Sequence, residues 1–223
     1  MRNTITRFAA FALSLTVWVE VALAHPHVWT DMRSQFIVSD DGLITGVRVE
    51  WKTDKAYAAD ALDGFAVNPD KTYAAEDLKK LTDENLSALA DYGYFVFFRF
   101  NGEKQPIGKA FDGLQTFNPK DGRLTLLFSV SLEKPLDPHQ GKVTLKVYDP
   151  EYFIDFGYVD AKPILISKVL PTGCSATLLP VPKDSQTEDT RLMLASKDKA
   201  WKPDQAEDYG GLFAQPVEVK CTP

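Results

Sequence analysis

VWTDMRSQFIVSDDGLITGVRVEWK, residues 28–52, consists of two alternating runs of apolar and polar residues separated by a polar turn. In the first run, Val28 and Phe36 fall on one side and Asp31 falls on the other. Side chains of a strand point alternately to opposite faces, so each run predicts a half-buried strand. The segment 39–42 between them, Ser-Asp-Asp-Gly, has the composition of a turn, and the whole stretch therefore predicts a β-hairpin.

The rest of the chain contains one helical pattern among several strand patterns. Leucines recur at helical spacing after Thr72, which predicts a helix over about 73–90 with Thr72 as its N-cap. Asn101-Gly102 is a strong hairpin signal, with 94–100 as one strand and 106–117 as its partner. We therefore expect an α+β fold with a mainly antiparallel, sandwich-like β-sheet and one main helix.

The two cysteines, Cys174 and Cys221, predict a disulfide that pins the C-terminal tail, because cysteines of an exported protein most simply pair. The alternative is a thiolate metal site, which requires reduced cysteines in an oxidising compartment. We expect a single α+β domain over 25–180 and a C-terminal extension over 181–223 that packs back on it. Residues 180–190 are polar and contain proline, which predicts a linker or a long loop.

Residues 1–24 have the features of a cleaved secretion signal, with two arginines at the front, an apolar run over 8–19 and a small-residue pattern at 22–24. The apolar run is shorter than the ~20 residues that a membrane-spanning helix needs. We expect a periplasmic protein that begins at His25 and has no membrane anchor after cleavage. The 31 acidic side chains outnumber the 25 basic ones, which argues against a nucleic-acid partner.

Two of the three histidines, His25 and His27, follow directly after the predicted cleavage point. A free N-terminal amine titrates near pH ~8 and an imidazole near ~6.5, so both can lose a proton to a metal ion. The amine and ring of His25, together with the ring of His27, offer three nitrogens, which suit zinc, copper, nickel or cobalt. Pro26 has no amide proton, so a site built on deprotonated amides cannot form here. The alternative is that this segment is only the polar, frayed start of the mature chain.

Carboxylates near two strand ends are the candidate oxygen ligands. Asp54 follows the second strand of the hairpin, and Asp149 begins a segment in which Glu151 and Asp155 lie among aromatic and apolar neighbours. Acids in such surroundings are solvated, paired or bound to a cation. The alternative for Asp149 is a turn in which its side chain bonds its own backbone. His139 lies in a predicted solvated loop and is left out of the site.

Four motifs, in this order along the chain, resemble those of an uncharacterised bacterial periplasmic family. They are His25-Pro26-His27-Val28-Trp29, Trp51-x-x-Asp54-x-x-Tyr57, Tyr148-Asp149-Pro150-x-Tyr152 and Tyr209-Gly210-x-x-Phe213-Ala214. The resemblance covers nearly the whole mature chain. Members of that family are commonly labelled as the soluble periplasmic component of an ABC-type transport system. They are often encoded beside nickel/cobalt-type transporters and are linked in some cases to zinc acquisition. The family's calcium-loop-like stretch before the central helix is not matched at 67–72.

The residues and the resemblance together predict a periplasmic accessory protein, not an enzyme, that hands a divalent transition metal to or from an inner-membrane transporter. The predicted ligands are His25, His27, Asp54 and Asp149, and zinc is the first choice, with nickel, cobalt or copper as alternatives. The competing functions are a copper-brace redox enzyme built on the N-terminal histidine, and a structural or protein-interaction β-domain with incidental histidines. With three histidines in the chain, no Ser-His-Asp or Cys-His arrangement for hydrolysis can be argued.

Overall fold

The computed structural model describes residues 26–181, 183–197, 201 and 207–222, and two β-sheets form the framework of the fold. The first sheet has the order β5 (Ile107–Asn118), β6 (Arg123–Leu136), β2 (Ile44–Thr53), β1 (Val28–Val38) and β8 (Ile154–Tyr158), and β9 (Ile164–Ile166) also pairs with β1. The second has the order β10 (Cys174–Leu178), β11 (Val217–Cys221), β7 (Val143–Val147), β3 (Val96–Phe100) and β4 (Glu103–Gln105). The described helices are α1 (Lys55–Ala61), α2 (Ala75–Ala90), α3 (Ser185–Ala195) and α4 (Gly210–Phe213), with a 3₁₀ turn at Gly93–Phe95.

The predicted hairpin is the centre of the first sheet. Every second residue of β1 from Val28 to Val38 is buried, as the alternation predicts. Strand β2 lies antiparallel to β1, with Met32 opposite Trp51. On its other side β1 pairs in parallel with β8, which places Val28 beside Ile154. The α+β, mainly antiparallel prediction is therefore confirmed, with β8 and β9 as parallel additions.

The two sheets share one hydrophobic core, which gives the fold its sandwich-like character. Phe36 and Phe128 from the first sheet and Phe98 from the second are all fully buried in it. The rings of Phe36 and Phe98 face each other across the interface with centroids 6.3 Å apart in an edge-on arrangement. Full burial of a side chain of this size contributes about 1.5–3 kcal/mol relative to its exposure. This shared burial is the main force that holds the two sheets together.

The main helix begins two residues later than predicted, at Ala75. Ala74 is the capping residue and makes no side-chain hydrogen bond, so the prediction that Thr72 caps this helix is wrong. The hydroxyl of Thr72 donates instead to the Asp70 carboxylate at 2.6 Å, inside the preceding turn. The helix packs closely on β5, where a Cβ at Gly113 would lie 2.5 Å from the Leu86 side chain. The glycine therefore allows the helix to approach the sheet.

The prediction that 106–117 returns as the partner of β3 is also wrong. The strand that returns across Asn101-Gly102 is the short β4, with Phe98 opposite Gln105. Strand β5 pairs with β6 in the other sheet. Pro106 lies between β4 and β5 and has no amide proton to donate, so the hydrogen-bond ladder ends there and the chain crosses to the first sheet.

The Cys174–Cys221 disulfide is confirmed and joins β10 to β11 at directly opposed positions. The bond links residues 47 apart in sequence, and β11 lies between β10 and β7 in the second sheet. A disulfide is typical of proteins in an oxidising, exported environment. Of the described helices, none has both the length and the apolar character that spanning a membrane requires. The proposed boundary between a domain at 25–180 and an extension at 181–223 stays a prediction.

Candidate metal centre

His27 is held firmly against the first sheet. Its backbone N–H donates to the carbonyl of Phe153 at 2.9 Å, and its ring lies 4.7 Å from the Phe153 ring, centroid to centroid. The side chain is half-buried, and β1 begins at the next residue. These contacts fix His27 against the first sheet. His25 lies outside the described residues.

The carboxylate of Asp149 organises the loop on which His27 rests. Its Oδ1 accepts the N–H of Glu151 at 3.0 Å, and its Oδ2 accepts the N–H groups of Phe153 at 2.9 Å and Ile154 at 3.1 Å. Asp149 is only 4 % exposed, and this burial raises the pKa of its carboxyl. The structure thus has the turn that was the alternative to a cation ligand. A carboxylate has about four acceptor positions, so three hydrogen bonds leave one for a metal.

Asp54 connects the end of β2 to the start of β1 and begins α1. Its Oδ1 accepts the N–H groups of Ala56 at 2.8 Å and Tyr57 at 2.9 Å, which caps the helix. Its Oδ2 accepts the N–H of Trp29 at 2.9 Å, two residues after His27. The Asp54 N–H in turn donates to the Trp29 carbonyl at 2.9 Å. Asp54 therefore fixes the start of β1, the strand that follows His27. Its carboxylate can still accept one further hydrogen bond or bind a metal ion.

These contacts bring His27, Asp54 and Asp149 to one end of the first sheet, through backbone links on both sides of β1. The hydrogen bonds join His27 to the Asp149 loop through Phe153, and join Asp54 to Trp29. Within the part of the chain that the structure describes, their side-chain ligand atoms do not form a group of three within 4.8 Å of one another. A metal site that combines them with His25 stays a prediction.

A further, half-buried carboxyl lies beside this end of the sheet. Asp155 is level with Trp29 in the parallel pairing of β1 and β8. Burial raises the pKa of the Asp155 carboxyl, and the charge of Arg191 opposes this effect. Burial, with a smaller contribution from the charge of Asp155, raises the pKa of Tyr152 to about 12. The loop at Asp149 and the adjoining strand β8 therefore hold two carboxyls that are costly to ionise, and a nearby cation would lower this cost.

His139 lies at the opposite end of the first sheet. It follows β6, whose Leu136 is level with Ile44, and Ile44 is level with Val38 at the far end of β1. Strand β1 has 11 residues, and at ~3.3 Å per residue its length is roughly 36 Å. The third histidine is thus remote from His27. It lies instead beside the disulfide, with Nε2 3.9 Å from the Cys174 Sγ.

The aromatic residues of the Trp51-x-x-Asp54-x-x-Tyr57 motif line a cavity at the same end of the first sheet. The cavity has a volume of about 230 Å³, and its wall includes Val28, Trp51, Tyr57 and Ile154. Trp51 is 5 % exposed, and among the described residues none forms a hydrogen bond with its indole Nε1. Sequence reasoning did not find this cavity, although the spacing of the motif places its three side chains at the junction of β2 and α1.

The motif at 209–214 contacts the Asp149 loop directly. The N–H of Gly210 donates to the Pro150 carbonyl at 3.1 Å, and Phe213 stacks on Tyr152 with centroids 4.3 Å apart. The hydroxyl of Tyr148 donates to the Asp208 carboxylate at 2.8 Å. Two motifs that lie some sixty residues apart in sequence therefore form one packing unit beside His27.

Comparison with known proteins assigns the chain to a family without a described activity. A family model described as a protein of unknown function, DUF1007, matches residues 10–221. An uncharacterized protein of Haemophilus influenzae is 24% identical over 207 residues, which cover 89% of this chain and 92% of that relative.

Proposed function

The chain belongs to the DUF1007 family of proteins of unknown function, and from this premise we propose that it is an exported accessory protein that binds a divalent transition metal. In this proposal the signal sequence is removed after Ala24, and the mature protein works in the periplasm. It hands the metal to or from an inner-membrane transporter, in agreement with the ABC-type transport label of the family that the motifs resemble. We propose no catalytic role.

One observation carries this proposal, namely the fixed position of His27. Its amide and its ring are both engaged by Phe153, at 2.9 Å and 4.7 Å. Because His27 is already held in place, ordering it for metal binding costs little chain entropy. Only His25 has to be ordered when the metal binds. An incidental histidine near a chain terminus gains nothing from such support. The free amine and ring of His25 would complete a set of three nitrogens.

The carboxylates then set the strength of binding. Asp54 and Asp149 have most of their acceptor capacity occupied by backbone N–H groups. Either one can supply only a weak oxygen ligand, and a weak ligand suits a protein that must release its metal. Zinc fits a mixed set of nitrogen and carboxylate ligands without a redox role. Copper is expected to bind most tightly in the test tube, as the Irving–Williams order requires.

The proposal is tested by titrating the mature protein with zinc, nickel, cobalt and copper, after mass spectrometry has located its N-terminus. We expect one ion per chain in the wild type and loss of that binding in a His25→Ala/His27→Ala variant. With the disulfide kept oxidised, the His139→Ala variant is the matched control, since it removes an imidazole from the other end of the sheet, and we expect it to bind like the wild type.

Binding by an imidazole and an amine displaces protons, so the measured affinity should fall as the pH is lowered. Equal binding by the wild type and the double variant would reject the proposal and favour a structural β-domain. A copper-loaded protein that consumes oxygen and a reductant would favour the copper-brace enzyme instead.

A further inference from the structure

We propose that reduction of the Cys174–Cys221 disulfide converts it, together with His139, into a second metal site that takes a thiophilic divalent ion such as zinc. This site is separate from the one at His27, because His139 follows the far end of β6, roughly 36 Å away along the sheet at ~3.3 Å per strand residue.

The three ligand atoms are already close together. The Sγ atoms of Cys174 and Cys221 and the Nε2 of His139 all lie within 4.8 Å of one another. The nitrogen is 3.9 Å from the Cys174 sulfur. In a tetrahedral zinc site, with Zn–S bonds of ~2.3 Å and Zn–N bonds of ~2.0 Å, neighbouring ligand atoms are roughly 3.5–3.8 Å apart. The histidine is therefore nearly in place, and the two sulfurs need only separate once their bond is broken.

The surrounding backbone keeps the three side chains together without the disulfide. Cys174 and Cys221 face each other in the antiparallel pairing of β10 and β11, which continues to Leu178 opposite Val217. The N–H of Thr222 also donates to the Gly173 carbonyl at 2.9 Å. Reduction removes the covalent link but leaves these hydrogen bonds.

The histidine is positioned by its own turn. The N–H of His139 donates to Asp137 Oδ1 at 2.9 Å, and the side-chain amide of Gln140 donates to Asp137 Oδ2 at 3.0 Å. His139 is exposed and both cysteines are half-buried, so a reductant and a metal ion can reach the site.

The chemistry balances as a two-electron exchange followed by metal binding. A protein dithiol transfers two electrons and two protons to the disulfide, becomes a disulfide itself, and leaves two thiols on this chain. A divalent ion then displaces the two thiol protons and binds two thiolates and one neutral imidazole. Three protein ligands leave a fourth position open for exchange. Reoxidation reforms the disulfide and releases the ion.

The experiment uses the mature protein with His25→Ala and His27→Ala, so that the N-terminal site makes no contribution and failure of one proposal is distinguishable from failure of the other. The protein is reduced with a phosphine under anaerobic conditions and titrated with cobalt, which reports thiolate ligands through a charge-transfer band. We expect the band to saturate at one cobalt per chain and to be displaced by zinc. The oxidised protein should show no band.

The His139→Ala variant in the same background should bind cobalt at least tenfold more weakly. Lys134→Ala, at an exposed position of β6 outside this turn, is the matched control and should bind like its parent. Circular dichroism of the reduced protein checks that the fold persists, since the site depends on the pairing of β10 and β11. Absence of the band, an affinity unchanged by His139→Ala, or unfolding on reduction would each overturn the proposal.

Discussion

A Gly210→Ala protein is expected to lose about 3 kcal/mol of unfolding free energy, among the largest effects of a single methyl group in this chain. A Cβ at Gly210 would overlap the backbone carbonyl oxygen of Asp149 and press on its carbonyl carbon, 2.8 Å away. Neither atom belongs to a flexible side chain, so the clash is relieved only if α4 moves off the Asp149 loop. Urea denaturation of the two proteins measures the difference.

Gly157→Ala is the matched control, because a Cβ at Gly157 would meet nothing within 4 Å. We expect its stability to stay within about 0.5 kcal/mol of the wild type. If both alanine substitutions lower the free energy of unfolding equally, the close contact between residues 209–214 and the Asp149 loop is not the reason that Gly210 is required.

An Asp149→Ala protein is expected to lose about 3 kcal/mol of unfolding free energy and to bind metal more weakly. Alanine leaves the N–H groups of Glu151, Phe153 and Ile154 without the acceptor that they have in the wild type. The Phe153 carbonyl accepts the N–H of His27, so the disturbed loop also releases the histidine. Urea denaturation and zinc titration measure the two effects.

Glu151→Ala is the control for this variant, since the loop uses the backbone N–H of Glu151 and alanine keeps it. It should be close to the wild type in both measurements. An Asp149→Ala protein of wild-type stability would mean that the carboxylate does not organise the loop.

The pH dependence of the unfolding free energy provides a second test of the role of Asp149. Burial raises the pKa of its carboxyl, so the folded chain holds this proton to higher pH than the unfolded chain. The stability contributed in this way is fully present below the ordinary carboxyl pKa of ~3.9 and is lost as the pH rises through the raised value. In Asp149→Asn this loss should disappear, which a comparison of unfolding free energies over the weakly acidic range would detect.

The first sheet was predictable from its central hairpin because the signal is local. The alternation over 28–38 and 47–52 reports which face of each strand is buried, and the turn composition between them fixes their antiparallel pairing. The helix at Ala75–Ala90 was found from its leucine spacing, but its cap was not, since a threonine beside an aspartate can serve a turn equally well.

Helix α3 shows a second limit of local patterns. Its beginning falls within 180–190, which the polar composition predicted to be a loop. Asp184 accepts the N–H of Thr187 at 2.8 Å and caps the helix, which then runs from Ser185 to Ala195. The Asp-x-x-Thr spacing was the available signal, and the surrounding proline and polar residues obscured it.

The contacts that hold His27 in place were not predictable, because they come from residues more than 120 positions away in the sequence. The parallel pairing of Val28 with Ile154 carries Phe153 to the histidine. The placement of His139 beside the cysteines is likewise a product of strand order, since β7 and β11 are neighbours in the second sheet. Spacing along a sequence carries no information about such contacts. The ligand residues could therefore be proposed from their chemistry, but their positions relative to one another could not be predicted.

The most direct test of the proposed metal binding at the proposed mature N-terminus compares the zinc affinity of two proteins that differ by one residue. One begins at His25, and the other retains Ala24 ahead of it, which keeps both imidazoles and the fold but moves the free amine away from the His25 ring. We predict that the protein beginning at His25 binds one zinc ion and that the extended protein binds it at least about tenfold more weakly, a difference of ~1.4 kcal/mol. Equal affinities would contradict a site built on the free amine of His25.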